Sequence, residues 1–267
     1  MKLIMLGTGN AMVTKCYNTC FALVDGERTF LTDAGGGNTI MARIEQAGIK
    51  YQSIHDMFVT HSHTDHVLGV VWVIRKIAAL MRQDKYDGEF HIYCHAPLVD
   101  TIQTLCDLTL AKKFGSLVGE RILLHAVADG ETITVMDRQI TCFDIGSTKQ
   151  LQYGYTIHGE DGCFLTCLGD EPYTEVSRKY VEGVDWLLCE AFCMYRDRER
   201  FQPYEKHHST VKDAAQLGEQ LGVKNMVLYH TEDSALDKRK TDYTNEAKEY
   251  YRGNVYVPDD LEEIEVC

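Results

Sequence analysis

The chain has 267 residues, of which 27 are Lys or Arg and 40 are Asp or Glu, for a formal charge of −13. That length buries enough apolar surface to fold without staples, and the field of so acidic a protein repels nucleic acid and anionic membranes at long range. Hydrophobic residues make up 45% and charged residues 25%, and no apolar run approaches the roughly 20 residues of a membrane span. The reading is one globular domain over residues 1–267, with no membrane partner.

Lys2 to Leu6 is a short apolar run stopped by Gly7-Thr8-Gly9, a strand entering a tight loop. Cys20 to Asp25 and Thr29 to Thr32 form a hairpin around Asp25-Gly26-Glu27. Asp33 to Gly37 is a backbone-permissive loop, and Asn38 to Ala47 is a helix stopped by Gly48. His55 to Thr60 reads as a buried strand ending at His61. Val67 to Met81 reads as a helix whose buried face is Val70, Val71, Ile74, Ile77, Ala78 and Met81. Phe90 to His95 is a strand, and Pro97 opens a helix to about Leu110. Arg121 to Cys142 alternates as a β-meander with a turn at Asp129-Gly130. Tyr153 to His158 and Cys163 to Leu168 flank Glu160-Asp161-Gly162, a hairpin connection. Trp186 to Cys189 is a strand, Thr210 to Leu221 a helix, Asn225 to Tyr229 a strand and Asp242 to Tyr251 the last helix. Val255 to Val257 and a final acidic strand to Val266 close the chain. Strand-rich blocks with interspersed helices thus occur twice over, which suits two β-sheets facing each other with helices outside.

Of the ten cysteines, Cys16/Cys20, Cys163/Cys167 and Cys189/Cys193 fall four apart, unlike the CxxC of zinc knuckles. Met1 to Leu6 runs straight into Gly7-Thr8-Gly9 without a secretory pattern. The expectation is a cytoplasmic protein whose thiols are reduced and mostly buried. Gly7-Thr8-Gly9 lacks the third glycine of a dinucleotide loop, and Lys238-Arg239-Lys240 reads as a short solvated stretch.

The chemistry concentrates in His61-Ser62-His63-Thr64-Asp65-His66. Three imidazoles and a carboxylate sit where an apolar strand meets a helix. A turn there lets His61 and His63 point one way while Asp65 and His66 point another, an arrangement that serves two adjacent metals. Imidazole with carboxylate suits zinc, one ion or two, with manganese or iron as alternatives.

This segment resembles the HxHxDH signature of the metallo-β-lactamase superfamily, and further elements in the right order extend the resemblance over nearly the whole chain. It implies an α/β fold of the αββα four-layer sandwich type. Asp33 looks like the early Asp that braces the metal loop, Asp170 like the carboxylate that bridges two metals, and His230 like the last histidine ligand. Leu6-Gly7-Thr8-Gly9 and His208-Ser209-Thr210 are similar to the ribonuclease Z and phosphodiesterase branch. There His208, rather than its neighbour His207, is implied as the general acid, Glu190 as the residue that orients it, and Asp65 as a ligand that aligns the nucleophile. Relatives are often dimers, so a homodimer is also implied.

Two departures stand out. The family's ligand histidine before a Tyr-Gly pair is missing from Phe143 to Tyr155, where Gly146 or Ser147 takes the expected place; the nearest alternatives, His125 and His158, read as ordinary strand positions. Nor does the short span from Gly146 to Asp170, largely used by the hairpin, leave room for the protruding arm of transfer-RNA-processing members. The expected function is therefore a metal-dependent phosphodiesterase acting through a metal-activated water on small or short phosphodiesters. Transfer RNA 3′ processing is an alternative disfavoured by the missing arm and the charge, and a metal-binding protein with a degenerate site is another. Lactone, thioester or β-lactam hydrolysis fits His208-Ser209-Thr210 less well.

Overall fold

The computed structural model describes residues 1–159 and 162–267; Glu160 and Asp161 of the expected hairpin connection lie outside them. In chain order the strands are β1 (Lys2–Gly7), β2 (Cys20–Asp25), β3 (Arg28–Thr32), β4 (Ile54–Phe58), β5 (Phe90–Cys94), β6 (Ile122–Ala126), β7 (Thr132–Val135), β8 (Arg138–Asp144), β9 (Tyr153–His158), β10 (Phe164–Cys167), β11 (Trp186–Glu190), β12 (Asn225–Tyr229), β13 (Asn254–Tyr256) and β14 (Glu263–Glu265). The helices are α1 (Thr39–Gln46), α2 (Thr64–Met81), α3 (Ala96–Thr109), α4 (Lys112–Gly115), α5 (Arg178–Val181), α6 (Arg198–Phe201), α7 (Val211–Gln220) and α8 (Leu236–Tyr250). Among the described residues, no helix is long and apolar enough to cross a membrane.

The chain divides into two compact units. The first comprises Met1–Gly7, Tyr17–Ala128 and Asp260–Glu265. Its sheet has the order β14-β1-β2-β3-β4-β5-β6. Strands up to β3 pair antiparallel, whereas β3 to β6 run parallel. Parallel neighbours require crossovers, and α1, α2 and α3 supply them. Ile40 and Ile44 of α1 join Val70, Val73, Ile74, Ile77, Ala78 and Met81 of α2 in a core with Leu31, Met57 and Ile92 of the sheet.

The second unit comprises Thr8–Cys16, Asp129–Asp259 and Val266–Cys267, with the strand order β13-β12-β11-β10-β9-β8-β7. It repeats the scheme: β7 to β10 pair antiparallel and β10 to β13 run parallel. Val211, Ala214 and Ala215 of α7 and Tyr243 and Ala247 of α8 pack with Leu187, Met226 and Leu228 of the strands. A capping box opens α7: the Thr210 hydroxyl accepts from the Asp213 N–H, and the Asp213 carboxylate accepts from the Thr210 N–H, so two otherwise orphaned donors are satisfied.

Four expectations change. The segment from Arg121 to Cys142 is not one meander, because β6 pairs parallel with β5 in one sheet while β7 pairs with β8 in the other; alternation marks a strand but does not choose its neighbour. On α2 it is Val73, not Val71, that lies in the buried face. Arg239 is 3% exposed, not solvated. Its guanidinium donates to Thr8 Oγ1, Thr231 Oγ1, the Pro258 carbonyl and Asp259 Oδ1, which gives the buried charge the partners it needs. Finally, Cys163 is bonded to Cys267 rather than reduced, their Cα atoms 5.7 Å apart, inside the range a disulfide spans. Of the eight free cysteines, all but Cys16 are buried, as expected.

Candidate metal centre

In both units the candidate residues leave the carboxyl ends of parallel strands, where α/β sheets form their ligand crevices. In the first unit β3 runs out into Asp33, and β4 into Thr60-His61-Ser62-His63. His63 is the residue before α2, so Asp65 and His66 fall on its first turn, where the helix dipole favours the Asp65 carboxylate. Asp33 takes a left-handed backbone (φ 56°) and organises the motif. Its Oδ1 accepts the Thr60 N–H at 2.8 Å, and its Oδ2 accepts the Thr60 hydroxyl at 2.8 Å. The same Oδ2 lies 2.7 Å from His66 Nδ1; a carboxylate can only accept, so this nitrogen carries the proton.

The Thr60 oxygen, its own proton committed to Asp33, lies 2.9 Å from His61 Nδ1. That makes Nδ1 the protonated nitrogen of His61 too. Both imidazoles therefore present a bare Nε2, the pattern of metal-ligating histidines held by a second partner. His61 Nε2 lies 2.9 Å from His63 Nδ1. With zinc–nitrogen distances of about 2.0–2.1 Å, two ligands on one ion sit roughly 3 Å apart. His66 Nε2 is 3.4 Å from Asp65 Oδ2. His61 and His66 are each 1% exposed and Asp65 6%. The donor set of this unit fits a divalent metal.

In the second unit β10, β11 and β12 deliver Asp170, Glu190 and His230. Asp170 Oδ2 is 3.3 Å from His230 Nε2, and its Oδ1 accepts from Gln152 Nε2 at 2.6 Å. His230, like Asp33, is left-handed (φ 57°). The turn that follows it is clasped by Thr8 and Asn10: the Thr231 N–H donates to the Thr8 carbonyl and the Asn10 N–H to the Thr231 carbonyl.

His208 is buried, its ring stacked on Phe192 with centroids 5.0 Å apart and 4.9 Å from His230. Its Nδ1 lies 3.7 Å from Glu190 Oε2, while Glu190 Oε1 accepts the Ser209 N–H at 2.6 Å. Burial pushes the Glu190 carboxyl up to about 8. Burial, then the neighbouring His230, pushes the His208 imidazole down to about 3. Both shifts favour the uncharged forms, so at neutral pH Glu190 keeps its proton and His208 is a neutral imidazole.

The competing histidines go elsewhere. His207 is exposed and meets the Thr148 hydroxyl at 2.7 Å, His125 pairs with His91 on neighbouring strands, and His158 bonds Thr141 on the outside of β9. The sequence reading gave no role to Gln152 and took Arg239 for a solvated residue. Gln152 sits in the very stretch inspected for a histidine, directly before Tyr153-Gly154. Arg239 shares an i, i+4, i+8 stripe with Tyr243 and Ala247, the buried residues of α8.

The family model of the anti-Pycsar protein Apyc1 matches residues 1–252. The chain belongs to that family. It is also similar to a ribonuclease Z of Bacillus cereus, 23% identical over 318 aligned positions that cover 100% of this chain and 99% of the relative. Among solved structures, the metallo-β-lactamase fold protein YhfI from Bacillus subtilis superposes with TM-score 0.80 at 15% identity, covering 98% of both chains. Human tRNase Z, short form, gives 0.78 at 18% identity, covering 100% of both. The expected metallo-β-lactamase fold is thereby shown, and the resemblance to ribonuclease Z is found as sequence similarity.

Proposed function

We propose that the protein is a metal-dependent phosphodiesterase of small or unstructured phosphodiesters, such as cyclic or short nucleotides. The ligands in this reading are His61, His63, Asp65, His66, Asp170 and His230, holding one or two divalent ions, with zinc the ion that imidazole and carboxylate suit best. When bound, such ions supply a water acidified to a pKa near about 7 and neutralise charge on the phosphoryl oxygens. Asp65 aligns the nucleophile. His208 protonates the departing oxygen, and the protonated Glu190 carboxyl beside it is the source from which that proton is replaced. Lys149, on the stretch before Gln152, bears electrostatically on both members of that pair and is a cation suited to a phosphoryl oxygen.

The observation that carries the phosphodiester reading is the buried His208 with Glu190 behind its Nδ1. In this reading His208 is the proton donor that departure of an alkoxide requires, its ring centroid 4.9 Å from that of His230. The kinship with ribonuclease Z favours transfer RNA 3′ processing as a second reading. Against it stand the charge of −13 and the shortness of the span from Gly146 to Asp170.

The test is metal content and turnover of bis(p-nitrophenyl) phosphate on one sample purified without chelators. Metal bound together with turnover that falls by orders of magnitude in Asp65→Ala is the expected result. Turnover that survives Asp65→Ala overturns the mechanism. No metal and no turnover after added zinc or manganese replaces it with a degenerate, binding role.

A further inference from the structure

We propose that Gln152 is the positioning residue for the Asp170 carboxylate, in a chain whose stretch before Tyr153-Gly154 carries no histidine. The inference rests on Asp170 being a metal ligand, as read above. Gln152 is 1% exposed, and it is fixed at both ends. Its carbonyl accepts the Ile145 N–H at 3.1 Å, which pins the backbone at the entry to β9. Its side-chain Nε2 donates to Asp170 Oδ1 at 2.6 Å. The atom facing Asp170 must be the amide nitrogen, because a carboxylate offers only lone pairs.

Gly169 makes room for this contact. A Cβ there would stand 2.6 Å from Gln152 Nε2 and 3.2 Å from its Cδ. Its φ of +75° further disfavours a side chain. The amide thus lies across Gly169 and reaches the carboxylate of the next residue.

The consequence is a division of labour on Asp170. Oδ1 is committed to the amide, and Oδ2 faces His230 Nε2 at 3.3 Å. Rotating the carboxylate would break a short charge-assisted hydrogen bond in a buried setting. Gln152 therefore selects which oxygen meets the metal and at what angle. Removing such an outer partner of a ligand costs about 10–100-fold in metal affinity.

The experiment is zinc titration of the metal-free full-length protein against a chromophoric chelator, for wild type, Gln152→Met and Asp170→Asn, with melting temperatures of the metal-free forms. Met keeps the length and bulk of Gln and removes the donor. Weaker zinc binding by about 10–100-fold in Gln152→Met, beside a larger loss in Asp170→Asn, is the expected result. Wild-type zinc affinity in Gln152→Met, with only a lower melting temperature, overturns the role of Gln152 while Asp170 stands. Equal zinc binding by wild type and Asp170→Asn, or none by wild type, removes Asp170 as a ligand and this inference with it. Should Gln152→Met not fold, Gln152→Asn decides the same way: it retains an amide one methylene too short to reach Oδ1.

Discussion

In the first unit the candidate histidines are held through a buried carboxylate rather than through backbone alone. Asp33 accepts the Thr60 N–H, the Thr60 hydroxyl and His66 Nδ1, so one side chain fixes the loop, the tautomer of His66 and, through Thr60, that of His61. In the second unit Glu190 lies beside His208, its Oε2 3.7 Å from Nδ1, too far for a hydrogen bond. Its carboxyl is raised from 4.5 to about 8 by burial. Between those values the folded chain keeps a proton that the unfolded chain has released. This contribution to stability is whole below pH 4.5 and is lost as pH rises through about 8. His208, lowered from 6.5 to about 3, contributes the opposite way, with stability present above 6.5 and lost as pH falls towards 3. Above pH 6.5 the Glu190 part therefore acts alone. The melting temperature of the metal-free wild type should fall from pH 6.5 to 8 relative to Glu190→Gln, whose amide does not titrate. Parallel curves for the two proteins would mean that Glu190 is already ionised in the folded chain.

At the scale of elements, α2 carries the site, and its seating depends on a missing side chain. The Gly69 N–H donates to the Gly35 carbonyl, and a Cβ at Gly69 would stand 1.8 Å from the Ala34 carbonyl oxygen. That oxygen is backbone of the loop that follows Asp33, so it cannot swing aside as a flexible side chain would. Gly69→Ala is expected to destabilise by about 3 kcal/mol, near the upper end of overpacking costs, and to loosen the bracing of His66. Thermal unfolding of the metal-free variant reads the first effect and zinc affinity the second; an unchanged melting temperature would show that the helix slides freely. The helix itself was legible from its apolar spacing, but only from Val67. Its first turn, Thr64-Asp65-His66, is polar, and so it breaks the hydrophobic period that marks the rest. The early start of α8 at Leu236 was hidden for a different reason. Its buried residues are Arg239, Tyr243 and Ala247, a stripe too narrow and too polar to register as an amphipathic face.

Across the whole molecule, the doubled strand-block pattern in the sequence corresponds to two seven-stranded sheets with the same division into antiparallel and parallel halves. The individual strands were readable, whereas the partner of β6 and the bond from Cys163 to Cys267 were not, since both depend on pairings between distant segments. Charge, by contrast, is a property of the whole chain that the sequence states outright. A protein at −13 meets a polyanion with net repulsion, and specific binding of transfer RNA must then come from a local cationic surface that displaces several counterions. Each phosphate neutralised adds about 0.9 to the salt slope of the affinity on a duplex, so a transfer-RNA-processing protein would show tight binding at low salt and a steep loss with added salt. The aligned ribonuclease Z needs 318 positions where this chain has 267 residues, so the chain lacks segments that its relative carries. Labelled transfer RNA should therefore give no electrophoretic shift at roughly 0.15 M salt, the range where exposed charges are screened within about 8 Å, in a preparation that turns over bis(p-nitrophenyl) phosphate. A shift that persists there and falls steeply on further salt would restore transfer RNA as the substrate and place a cationic surface on this chain that its net charge conceals.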